Sequence, residues 1–216
     1  MTGRRCRGHS SFDIHSSFVI RHTSFRAKGA FTILELLIVM TVIIALAGLI
    51  IATVGYVQKK GARSRAEAEI AAISAALESY KADNGIYPGN PATNGLKPNS
   101  DADPTQSVYA NASLYLYEEL SGDHDHNRRV DSSDDSTGSG TVPKTYYTFK
   151  PNTLLPAPPS ASSVTAIRDP FGNPYGYSTT KSANPTGTDG YNPTFDLWST
   201  GGLTSGANSS QWIKNW

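Results

Sequence analysis

Lys28-Gly29-Ala30-Phe31-Thr32-Ile33-Leu34-Glu35-Leu36-Leu37-Ile38-Val39 opens the stretch that decides how this chain is read, and mostly apolar residues continue as far as Lys59. Leu36 to Gln58 is a run of 23 residues without a charge. At about 1.5 Å of rise per residue, a helix of that length crosses a hydrocarbon core of roughly 30 Å. One acid, Glu35, stands at its start. A carboxylate at the centre of such a helix costs about 2.5–3.5 kcal/mol, and less toward an end, so Glu35 needs a reason to be there.

Two ordinary readings compete for this stretch. A secretory signal peptide has an apolar region of only about 7–15 residues with a small-residue cleavage site after it. Here the run is longer and leads into amphipathic helix without an evident cleavage site. A plain single-span anchor accounts for the run, but for neither the Gly-Ala-Phe-Thr border nor the lone Glu.

Border and run together resemble the N-terminal signature of type IV prepilins and of type II secretion pseudopilins. In that family a short basic leader ends in Gly; Phe, Thr, two aliphatic residues and a Glu at the fifth mature position follow, then about twenty apolar residues. Phe31-Thr32-Ile33-Leu34-Glu35-Leu36-Leu37 matches closely. The resemblance implies removal of residues 1–30 by a prepilin peptidase, with Gly29, Ala30 and Phe31 as the processing residues. The residue before Phe31 is Ala30, where the family usually has Gly. Cleavage after Ala30 keeps Phe first and Glu fifth. Cleavage after Gly29 keeps the Gly but makes Glu35 sixth. The first is favoured because the position of the Glu matters for assembly.

Residues 1–30 hold six of the nineteen Lys and Arg (Arg4, Arg5, Arg7, Arg21, Arg26, Lys28) and one of the eighteen acids, Asp13. Without them 13 basic and 17 acidic residues remain, a balance of −4. The basic character therefore belongs to the leader and not to a nucleic-acid surface. Six cations before the span, against Lys59, Lys60, Arg63 and Arg65 after it, favour a cytoplasmic N-terminus. The leader also repeats itself (His9-Ser10-Ser11-Phe12, His15-Ser16-Ser17-Phe18, His22-Thr23-Ser24-Phe25), as low-complexity segments do. The only cysteine, Cys6, lies there, so the rest of the chain has no disulfide and no thiol chemistry. Many pilus-forming pilins of the resembled family carry a C-terminal disulfide loop, and its absence tilts the resemblance toward a pseudopilin.

Beyond Lys60, Ala66, Ile70, Ile73, Leu77 and Tyr80 recur at steps of three and four and mark one apolar helix face. The helix is expected to stop at Asn84-Gly85, with Gly85 left-handed and Pro88 blocking continuation. Tyr80-Lys81-Ala82-Asp83-Asn84-Gly85-Ile86-Tyr87-Pro88 is similar to the helix end of the major pseudopilin, the G subunit of type II secretion. Asp169-Pro170-Phe171-Gly172-Asn173-Pro174-Tyr175-Gly176-Tyr177, Phe195-Asp196-Leu197-Trp198-Ser199 and Asn215-Trp216 are similar to its turn, strand and ending. The stretch 89–165 carries no such likeness. There, 89–106 reads as loop, Ala112–Leu120 as a short helix with Leu114, Tyr117 and Leu120 on one side, 122–143 as a mobile polar segment, Tyr146–Phe149 as a strand and 151–166 as loop.

The fold expected is α+β: a long N-terminal α-helix, with a transmembrane half and an amphipathic half, packed on a small antiparallel β-sheet domain, pilin-like. The segments are a leader (1–30), a membrane or filament-core helix (31–58), an amphipathic half (59–84) and a globular domain (85–216).

Two chemistries stand out. The resemblance implies that the freed amine of Phe31 is methylated and stays a cation. A cation and a carboxylate in one apolar layer lower each other's burial cost. Glu35 is then expected to pair with the Phe31 amine of a neighbouring subunit and set the filament register. Phe31 and Glu35 are also i and i+4, so an intramolecular pair is the competing arrangement. The second chemistry is calcium. G-type relatives in the resembled family bind it in a C-terminal loop, but after Asp196 this chain has no Asp or Glu; Trp212 and Trp216 are expected to close that loop by packing. Elsewhere, Asp123, Asp125, Asn127, Asp131 and Asp134 fall at positions 1, 3, 5, 9 and 12 of an EF-hand-like loop, with Val130 at the apolar position 8 and Arg128 replacing the Gly of position 6. The same residues fit a solvated acidic loop. His124 and His126 alternate in that loop and suggest zinc less well than solvation.

No enzyme constellation is present: there is no phosphate loop and no nucleophile–base pair. The function expected is a structural subunit of a type II secretion pseudopilus. Its implied partners are itself, other pseudopilins, the prepilin peptidase, an inner-membrane platform with its ATPase, an outer-membrane channel, and lipid before assembly. It would sit in the inner membrane with its C-terminal domain in the periplasm. The alternatives are a type IV pilin for adhesion, motility or DNA uptake, and a membrane-anchored domain binding calcium or another ligand.

Overall fold

The structure, a computed structural model, describes residues 31–160, 163–206 and 210–216. Its first element is α1, Ile33–Asn84, unbroken over 52 residues. No proline interrupts it, and Ala and Leu, which cost little in a helix, with Ile make up nearly half of it. Thr32 caps it: its hydroxyl accepts from the Glu35 amide (3.2 Å), and its carbonyl accepts from the Leu36 amide (3.2 Å). At the other end Gly85 takes φ +79° and donates to the Lys81 carbonyl at 2.7 Å, the left-handed stop that the sequence predicts.

By compactness the chain divides between Ile50 and Ile51. In the first unit the described residues are the start of α1, whose apolar side chains are exposed on every side.

The second unit holds the core. Ala66, Ile70, Ile73 and Leu77 are buried, as the spacing requires, and Ala62 and Ala76 extend the face. Tyr80, the last residue of the expected stripe, is only partly buried; its hydroxyl donates to Glu119 (2.6 Å). Against this face pack α3 (Ser107–Ser121) and the strands. Burying each large aliphatic side chain stabilises the fold by roughly 1.5–3 kcal/mol. Between the two helices lies α2, Pro91–Gly95, where loop was expected; Asn90 and Thr93 form a reciprocal capping box, and Pro91 supplies a ready first turn.

Two small antiparallel sheets take the place of the single sheet expected. β1 (Leu154–Leu155) pairs with β2 (Ala166–Ile167), so the predicted loop 151–166 holds a strand at its edge. The second sheet has the order β3 (Gly176–Ser178), β4 (Asp196–Ser199), β5 (Ile213–Lys214), with Gly176 opposite Trp198 and Ser199 opposite Ile213. Position 176 must be glycine: a Cβ there would lie 2.2 Å from the Trp198 ring. A short helix α4, Thr180–Ala183, follows β3. The fold is thus α+β, with a long N-terminal helix and small antiparallel sheets.

Three local expectations change. The short helix 112–120 is really Ser107–Ser121, because its buried stripe begins with Tyr109 and continues through Ala112, Ser113, Leu116, Tyr117 and Leu120. Leu114 is only partly buried, off the centre of that stripe. Tyr146–Phe149 is not a strand. The Tyr146 and Tyr147 amides both donate to the Leu120 carbonyl (2.8 and 2.9 Å), at the C-terminal end of α3. The rings pack on one another and on the helices, Tyr80 with Tyr146 and Tyr117 with Phe149. Aromatic strand composition reports a half-buried surface, which a helix flank also provides.

A second cluster closes the C-terminus, as expected of Trp212 and Trp216. Trp212 stacks on buried Trp198 with centroids 5.8 Å apart, Trp216 meets it edge-on at the same separation, and the Trp198 indole donates to Tyr109 (3.2 Å). Arg63 ties α1 to this region by donating to the Gln211 carbonyl at 2.8 Å and the Trp212 carbonyl at 3.4 Å.

Candidate functional site

The N-terminal candidates divide sharply. Gly29 and Ala30 lie outside the described residues, and so does the processing border they form. Phe31 and Glu35 are described, and both are exposed. Glu35 is the third residue of α1, in the first turn, where the positive end of the helix dipole favours a carboxylate. With Thr32 as cap, Thr32-Ile33-Leu34-Glu35 is a Ser/Thr-x-x-Glu start signal, and its amide-to-hydroxyl half is formed. Glu35 thus has a local role at the helix start beside the assembly role expected of it. Its local role was legible in the same four letters.

Behind it, Ile33, Leu34, Leu36, Leu37, Ile38 and Val39 each keep half or more of their surface exposed, and so do most large apolar residues as far as Val57. Among the described residues α1 is the one helix long and apolar enough to cross a membrane. A surface that is apolar all round is what a helix in lipid or in a packed bundle of like helices presents.

In the acidic loop the carboxylates of Asp123 and Asp134 gather backbone amides. Asp123 and Asp134 are buried and Asp125 is exposed; one carboxylate oxygen from each lies within 4.8 Å of the others. Asp123 accepts from the Asn127 amide (3.1 Å), the Arg128 amide (2.8 Å) and the Tyr117 hydroxyl (2.5 Å). Asp134 accepts from the amides of His124 (2.8 Å), Asp125 (3.1 Å) and Asp131 (2.9 Å). Burial raises the Asp123 carboxyl above the usual range despite its donors, and nearby Asp134 adds to the rise. Asp125, held by the Asn127 amide, is lowered.

Asn127 and Asp131 do not join this cluster. The Asn127 side chain donates to Asp125 (2.7 Å) and accepts from the Arg129 amide (2.8 Å). Asp131 caps a short 3-10 turn, Ser132–Asp134, by accepting from Ser133. The structure thus unites positions 1, 3 and 12 of the expected loop, and turns 5 and 9 to backbone work. Arg128, in place of the position-6 Gly, adopts φ +72°, the left-handed conformation that a Gly would take there. The three carboxylates offer a cation anionic oxygens on one side, each already accepting from N–H or O–H donors. Zinc at the two histidines finds no support: His126 pairs with Glu118 at 2.6 Å, and His124 is exposed.

Comparison with known proteins adds no relative: no family model, no curated protein and no solved structure matches this chain.

Proposed function

We propose that this chain is a structural subunit of a type II secretion pseudopilus, with no catalytic role. The observation that carries the reading is the start of α1: a helix apolar on every face from Leu36 to Gln58, opened by Phe31-Thr32 and by the single acid Glu35. Such a helix has two stable surroundings, lipid before assembly and the packed helices of a filament after it. The prepilin peptidase frees the Phe31 amine. Glu35 then neutralises that cation on a neighbouring subunit, so that two buried charges replace two unpaired ones and only the correct register is allowed. Residues 85–216, packed on the amphipathic half 59–84, form a pilin-like domain on the periplasmic side, and other pseudopilins, the inner-membrane platform and the outer-membrane channel are the partners. Calcium at Asp123, Asp125 and Asp134 is a subordinate part of this proposal, supported by the convergence of three carboxylates.

A type IV pilin would share the helix; the absence of cysteine after Cys6 favours the pseudopilin. The test compares secreted proteins among wild type, a deletion strain and a Glu35→Ala strain. Specific exoproteins accumulating in the periplasm of both mutants is the expected result. Unchanged secretion with loss of surface fibres, twitching or DNA uptake would make the chain a pilin.

A further inference from the structure

Lys59 and Lys60 are the first charges after the uncharged run, and they line a groove of about 630 Å³ with Tyr56, Arg63, Phe171 and Leu203. No acid lines it. Arg63 is committed elsewhere: it donates to the Gln211 and Trp212 carbonyls and pairs with Glu67 at 3.4 Å. Lys59 and Lys60 are exposed, and among the described residues neither side chain makes a hydrogen bond or ion pair with the protein. The groove is therefore two ammonium groups beside an aromatic and aliphatic wall. It stands out on a chain that carries four more acids than bases after residue 30, yet has four of its thirteen remaining cations within residues 59–65. Cations on the far side of a span run against the usual charge bias, so their concentration here has a use other than orientation.

We propose that this groove holds the headgroup of an anionic phospholipid. The phosphodiester sits between Lys59 and Lys60, and the glycerol and first acyl carbons lie on Tyr56, Phe171 and Leu203. Charge complementarity selects an anion. The apolar wall, and its place directly after the uncharged run in the chain, select an amphiphile over free phosphate or an acidic peptide. The inference rests on the membrane reading of residues 36–58.

The test uses the full chain in detergent micelles, titrated with phosphatidylglycerol or phosphatidylcholine of matched acyl chains and read by native mass spectrometry. The expected preference for phosphatidylglycerol is about twenty-five-fold, at about fivefold per lysine. Lys59→Ala/Lys60→Ala brings the ratio to parity, and Lys150→Ala, an exposed lysine elsewhere, leaves it unchanged. Equal retention of both lipids, a preference that survives the double variant, or displacement by equimolar inorganic phosphate overturns the proposal. So does a double variant that loses self-association but keeps the lipid, because the groove then receives a second copy. Carbonate extraction of membranes separates the two readings. A chain that washes off removes the membrane reading and this inference together; an integral chain without lipid preference removes this inference alone.

Discussion

Leu37 and Leu77 stand on one continuous helix, yet Leu37 keeps 59% of its surface and Leu77 keeps none. Around Leu37 the neighbours Ile33, Leu34, Met40 and Thr41 are all exposed, and only Thr41 among them is polar, its hydroxyl donating to the Leu37 carbonyl (2.8 Å). Around Leu77 the large apolar residues keep to one stripe, and Glu67, Glu78 and Ser79 face water. The second half of α1 thus obtains its apolar surroundings from its own chain, through α3 and the strands. Among the described residues the first half keeps its apolar surface exposed, which on the proposed function lipid or other subunits cover. One helix carries two contracts with solvent, and the change falls where the first cations, Lys59 and Lys60, appear.

The sharpest way to break this contrast is the same substitution on both halves. Leu77→Ala is expected to cost about 2–5 kcal/mol, as deletion of a fully buried leucine does. Leu37→Ala is expected to leave the unfolding of the folded domain unchanged. Thermal melts of the full chain in detergent read both, and equal shifts would erase the distinction. Next in size, Ile44→Asp places a carboxylate midway along the uncharged run and is expected to cost insertion about 2.5–3.5 kcal/mol. Carbonate extraction should move that variant to the soluble fraction.

How much of this was legible beforehand depended on whether a signal was local. The buried stripe of α1 and the Gly85 stop follow from periodicity and a positive-φ position, which act over a few residues; the strand Asp196–Ser199, buried at all four positions, is legible only through the family resemblance. The aromatic run 146–149 misled, because its residues report burial, not the partner that buries them. α2 was missed because the Asn90–Thr93 box caps only one turn. In the acidic loop, the side chains at positions 1, 3 and 12 converge. Asn127 and Asp131 had to satisfy neighbouring amides, a demand set by the backbone path and invisible in spacing.

The loop and the sheet sharpen the comparison through pH, since among the described residues the buried acids Asp123, Asp134, Asp169 and Asp196 all lie in the folded domain. Asp169 (accepting from Ser199 and the Phe171 and Asn173 amides), Asp196 and Asp123 are all raised, chiefly by burial. A raised carboxyl binds its proton more readily folded than unfolded, so stability rises as pH falls through the folded value toward about 3.9, the unfolded one. Asp83, Asp125, Asp131, Asp135 and Asp189, none of them buried, are lowered by hydrogen bonds and act oppositely, losing their contribution below that point. The melting temperature is therefore expected to climb as pH falls through the raised carboxyl range into weak acid and to fall again below about pH 3.9. A monotonic fall from neutrality would contradict the burial of these groups.

The smallest effect concerns calcium. At a tenfold excess over its dissociation constant, the ion is expected to stabilise the domain by about 1.4 kcal/mol. Asp125→Asn, at the exposed member of the cluster, should abolish that gain without unfolding the loop. A calorimetric titration with no heat would leave the cluster as a carboxylate-capped loop.

The most direct test of the central claim is the intact mass of the protein extracted from its native membrane. A chain that begins at Phe31 and carries one added methyl group is the predicted result, since only then does Glu35 meet a freed cation. A chain that retains residues 1–30 would contradict the filament reading and leave α1 as a simple anchor.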